Sequence, residues 1–237
     1  MYATCMLLLA AAVGQPNDYP PFVTEHVKGM MNYYRKPDPD LGPKLLTDLL
    51  RKENIGHPWF AANEHPLNLI AAQLGDIAMG KPKIVRQYEA AFADAAPLGR
   101  RVIIRALMNS GDKETVSKID EWLKDENVGL KPELEALKKH LEDPKRKHAR
   151  DLPAKEPKDL DFLWVNFFST GDYAPIARIL DVFDRADTNE TMKRVAKWSL
   201  GSNLQQHPKL AEVIEAHAKE RPAASKKVID ELIIKQP

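Results

Sequence analysis

The sequence predicts an all-α protein, and three observations carry the prediction. Apolar residues recur at helical spacing in stripe after stripe, as in Leu45, Leu46, Leu49 and Leu50. Glycine and proline punctuate the stripes where helices end and begin, with Gly80 suited to a left-handed C′ position and Pro82 to a first turn. Finally, the stretch from Leu160 to Ala218 repeats the order of Leu69 to Glu126: apolar helix, glycine break, and three further helices. No motif names a reaction, so the sequence yields an architecture and candidate surfaces but no activity.

Met1 to Gly14 opens with an apolar run, Met6 to Val13, that is too short to span a bilayer. Its length suits the core of a signal peptide, with Ala12-Val13-Gly14 as the cleavage site and Gln15 as the first mature residue. Against this, no Lys or Arg precedes the run. Export to a periplasm or the extracellular space is the expectation, with a cytoplasmic location as the alternative. The only cysteine, Cys5, lies inside this segment, so no intramolecular disulfide or thiolate metal site can form.

Residues 15–66 read as a proline-bearing entry followed by N-terminal helices. Val23, Val27, Met30, Met31 and Tyr34 share one face, and Pro37 and Pro39 end that helix. Leu41 to Asn54 reads as one helix, and Trp59 to Glu64 as a helical turn after Gly56-His57-Pro58. The first repeat unit covers residues 67–142. Its opening helix carries Leu67, Ile70, Leu74 and Ile77, and the next buries Val85, Tyr88 and Phe92. Arg100 to Asn109 ends at Gly111-Asp112, and helices with Val116, Ile119 and Leu123, then Leu134, Leu137 and Leu141, follow. Residues 143–158 hold three prolines and no apolar period, which marks a linker or a strap. The second unit with a C-terminal helix occupies residues 159–237.

The two units align in register. Leu69, Gly80, Phe92 and Ala95 match Leu160, Gly171, Phe183 and Ala186 at an offset of 91, and the later helices match at 93 and 94. Both insertions fall in expected loops, where a duplicated structure tolerates them. Trp164, Phe167 and Phe168 then read as core, and Trp198 as closing a helix–helix contact. Their partners in the first unit are Gln73, Asp76 and Ile77, so the second unit is expected to be the better packed.

The segment APLGRRVIIRALMNSGDKETVSKIDEWL, with TGDYAPIARILDVF as its second instance, resembles a HEAT or armadillo hairpin. The resemblance spans roughly Leu67 to Glu220. It implies a right-handed α-α superhelix of stacked hairpins with a partner-binding surface, and it transfers no functional residue.

Candidate chemistry is sparse. Lys and Arg number 35 against 34 Asp and Glu, which disfavours a nucleic-acid partner. His57 and His65 flank Trp59 in GHPWFAANEHPLN, but they lack the i, i+4 spacing of helical ligands, and helix capping is the plainer role. No metal and no cofactor is expected. Asp181, Asp184 and Asp187 form a DxxDxxD series without a second carboxylate cluster, which reads as a solvated helix edge paired with Arg178 and Arg185. Lys145, Arg146, Lys147 and Arg150 make the strongest charge run, a lesser candidate for anion or membrane-surface contact. The leading expectation is a non-enzymatic, exported helical module with a protein partner, its surface sought at His57, Trp59, His65, Gln73 and Asp76. An enzyme or small-ligand binder with a site near His57, His65 and Asp76 is the alternative.

Overall fold

The computed structural model describes residues 29–62, 64–125, 129–146, 151 and 153–233. The run Met1 to Gly14 lies outside them, as do Lys147 and Arg150. Among the described residues every regular element is helical. A 3₁₀ turn at Tyr33–Arg35 precedes α1 (Leu41–Leu50), α2 (Lys52–Ile55), α3 (Pro58–Ala62), α4 (Glu64–Ala78), α5 (Pro82–Phe92), α6 (Pro97–Ser110), α7 (Thr115–Trp122) and α8 (Lys131–Glu142). Then come α9 (Pro157–Thr170), α10 (Tyr173–Asp184), α11 (Glu190–Gln206), α12 (Pro208–Ala218) and α13 (Ala223–Ile233). No described helix is long and apolar enough to cross a membrane.

The chain forms two compact units, one within Pro16–His148 with Phe168–Gly171, the other within Ala149–Phe167 and Asp172–Pro237. In the first, α4 packs along α6, with α5, α1 and α8 around that pair. The approach depends on Gly75. A Cβ there would lie 2.6 Å from the Ala106 carbonyl oxygen and against the Asn109 Cβ, contacts no real side chain makes. Tyr88 is fully buried beside this seam and donates to the Leu74 carbonyl at 3.2 Å; burial pushes its phenol pKa up. Phe92 of α5 stacks on Trp122 of α7 with ring centroids 4.0 Å apart.

The opening helices α4 and α9 end alike, whereas α6 ends at Gly111 with φ 66° and α11 at His207 with φ −129°. Gly80 follows α4 at φ 68° and Gly171 follows α9 at φ 74°, the left-handed conformation that glycine enters without a Cβ penalty. The fifth helices differ in placement: α8 packs on α6 and α7, whereas α13 packs chiefly on α10.

Two expectations need correction. The helix expected over Leu41 to Asn54 is two helices, because Arg51 leaves the α region with ψ 137°. The Asn54 amide donates to the Asp48 carbonyl at 2.6 Å and compensates the break. The first unit's opening helix is as deep as its counterpart at Gln73 and Ile77, though Asp76 is half-buried where Phe167 is fully buried. Gln73 is 1% exposed, its Nε2 donating to the Met30 carbonyl at 2.9 Å, and Ile77 is fully buried. A polar side chain is tolerated there because a backbone acceptor from a distant segment satisfies it. Trp164, Phe167 and Phe168 are core, as expected.

Residues 153–158, within the expected linker, are ordered by capping. Asp159 Oδ2 accepts from the backbone amides of Lys155 at 2.8 Å and Glu156 at 3.0 Å. The Ala154 carbonyl accepts from Arg185 at 2.7 Å.

Gly75→Ala gives a test of sign. Helix propensity alone would add about 1 kcal/mol of stability, whereas the clash with a carbonyl that cannot swing away costs about 1–3 kcal/mol. The urea midpoint is expected to fall; a rise would show that α4 and α6 are not so close.

Candidate functional site

Helix α11 starts at Asn189, whose Oδ1 accepts the Met192 amide at 2.8 Å while Glu190 places an acid in the first turn. That start fixes which residues face inward. Met192, Ala196, Ser199, Leu200, Asn203 and Leu204 form one buried stripe. Its polar members are tied in: Trp164 Nε1 donates to Ser199 Oγ at 3.3 Å, Ser199 Oγ to the Ala196 carbonyl at 3.0 Å, and Asn203 Nδ2 to the Ser199 carbonyl at 2.9 Å.

Trp198 lies two residues from both Ala196 and Leu200, so at about 100° per residue it points roughly away from that stripe. It is 48% exposed, the one large apolar side chain so exposed among the described residues. The expectation that Trp198 closes a helix–helix contact is therefore overturned. Beside it, α11 and α13 border an open groove of about 420 Å³, lined by Arg194, Lys197, Trp198, Gly201, Ser202, Gln205 and Leu232. Gly201 admits Leu232, whose Cδ2 would sit 3.2 Å from a Cβ at that position. Lys197 is ion-paired with Glu231. Arg194 reaches only the Thr191 hydroxyl, at 3.3 Å, and meets no carboxylate among the described residues. The groove thus combines an apolar edge with two cations and no acidic lining residue.

The residues singled out from the sequence are placed otherwise. Trp59 is 6% exposed, its ring edge-on to Phe60 at 5.0 Å, and with the buried Gln73 it cannot form a surface. His57 is half-buried and caps α3, its Nδ1 accepting from the Trp59 amide at 3.2 Å. His65 and Asp76 are half-buried on α4. Among the described residues no three His, Cys, Asp or Glu side chains gather closely enough to hold a metal ion. Of the basic run, Lys145 is exposed. Arg146 donates to the Gly111 carbonyl at 2.6 Å and to the Leu141 carbonyl at 3.1 Å, closing two helix C-termini.

The aspartate series has a structural occupation. Arg221 donates to Asp181 at 2.7 Å and Asp184 at 2.9 Å, and Asp184 also accepts the Ser225 amide at 3.0 Å. Burial works against the Arg221 cation, but the hydrogen bond and charge of Asp181 outweigh it, and its pKa is raised. Tyr173 stacks on His217 next to this cluster, with ring centroids 3.8 Å apart. The network ties α10 to the start of α13. Removing it by Arg221→Ala is expected to lower the unfolding free energy by about 2 kcal/mol, since charged hydrogen bonds of a largely buried side chain are lost. An unmoved urea midpoint would contradict this role.

Compared with models of known families, with characterised proteins and with solved structures, the chain has no significant match.

Proposed function

We propose that the chain is a non-enzymatic α-helical module, a duplicated set of HEAT-like hairpins, that binds another protein through the outward face of α11. The observation that carries this reading is Trp198. Tryptophan and arginine are the side chains most enriched among interface hot spots, and here Trp198 and Arg194 line one groove. The near-equal counts of acidic and basic residues speak against a polyanionic ligand. The matched order of α4–α8 and α9–α13 supports the duplication. The apolar run Met6 to Val13 is the feature that supports export.

A photo-reactive amino acid placed at Ser202, in cells that express the protein, tests the reading. The expected result is one discrete heavier adduct that disappears when Trp198→Ala is added. The same label at Glu135, exposed on α8, is expected to give none. Adducts that are absent at Ser202, or indifferent to Trp198, would overturn the proposal.

A further inference from the structure

Resting on that reading, we infer that the occupant of the α11–α13 groove is an acidic amphipathic helix of a different protein. Three features of the groove select it. The lining residues of α11 run from Arg194 through Lys197, Trp198, Gly201 and Ser202 to Gln205, the i, i+3, i+4, i+7 spacing of a single helix face. That face is about 16 Å long at 1.5 Å per residue, which matches three turns of a docked helix. Halfway along it Leu232 packs over Gly201 and, with the Trp198 ring, gives the open groove its apolar walls. An open groove with two large apolar side chains on its walls suits the apolar ridge of a docked amphipathic helix, the helix-in-groove mode of recognition.

Charge then sets the sign of the partner. Acids near this face are already engaged, Glu231 with Lys197 and Glu190 with Lys193 at 2.9 Å. Arg194 stands one turn before Trp198 with only a hydroxyl contact. A partner carboxylate beside the apolar ridge would meet an uncompensated guanidinium, whereas a lysine-rich helix would meet only repulsion. A second copy of this chain offers no such acid on the matching face, because that face carries the same two cations.

The test uses calorimetry on the full chain with two synthetic amphipathic peptides of about 15 residues, long enough for more than three turns. They share one leucine stripe and differ only in carrying glutamates or lysines elsewhere. The chain is expected to bind the glutamate peptide about fivefold more tightly than the lysine peptide, a margin that shrinks with added salt. Trp198→Ala is expected to weaken binding about 30-fold, and Arg194→Glu to reverse the preference. Both side chains are exposed, so circular dichroism should show either variant folded. Equal affinity for the two peptides, lost in Trp198→Ala, would overturn the acidic partner and leave the groove as a docking surface. Binding of neither peptide, with Trp198-dependent cross-linking at Ser202 intact, would overturn the acidic helix alone. Self-association abolished by Trp198→Ala would assign the groove to a second copy and overturn the inference. Binding of neither peptide together with no cross-linking would remove the groove reading itself.

Discussion

At Gly75 the backbones of α4 and α6 come so close that a methyl group would strike the Ala106 carbonyl oxygen at 2.6 Å. The packing of α1, α4, α5 and α6 meets at that approach. On α4, Gln73 lies in the interior, its side-chain amide donating to the Met30 carbonyl. The Leu74 carbonyl accepts from Tyr88, which holds α5 against the same seam. Gly42 on α1 meets the other side of the Tyr88 hydroxyl, where a Cβ would collide. A core assembled by close approach of backbones leaves its glycines little freedom, which is why the sign of Gly75→Ala is informative.

The second unit is organised by one helix with two unlike faces. The inner face of α11 is a buried stripe in which Ser199 and Asn203 are hydrogen-bonded to Trp164 and to the helix backbone. The outer face carries Arg194, Trp198, Ser202 and Gln205, which line the groove. A helix so divided has its position set from one side, which leaves the other side rigid and presentable. Arg221, holding Asp181 and Asp184, anchors α10 to the start of α13, the second wall of the groove.

Local chemistry was legible in the sequence wherever it had a local cause. Gly80 and Gly171 stand where a left-handed residue must end a helix, and both adopt it. Leu134, Leu137 and Leu141 defined α8, and His57 before Pro58 capped rather than ligated. What failed depended on distant partners or on angle. The break at Arg51 has no proline or glycine to announce it and is compensated by Asn54. Gln73 looked like a surface residue because its acceptor lies 43 residues away. Residue type alone points Trp198 toward a helix–helix contact. Its helical position, opposite Ala196 and Leu200, would have placed it outside, so that signal was present and outweighed by a composition rule.

The account turns on a tryptophan that is exposed and set among cations, and fluorescence quenching reads both properties in the free protein. Trp59, Trp122 and Trp164 are each less than a tenth exposed, which leaves Trp198 as the accessible indole. Iodide should quench one component of the emission, that component should vanish in Trp198→Phe, and its iodide-to-caesium quenching ratio should exceed that of free N-acetyltryptophanamide because Arg194 and Lys197 attract the anion and repel the cation. A ratio no higher than that of the free derivative, or a quenchable component that survives Trp198→Phe, would contradict an exposed tryptophan set among cations.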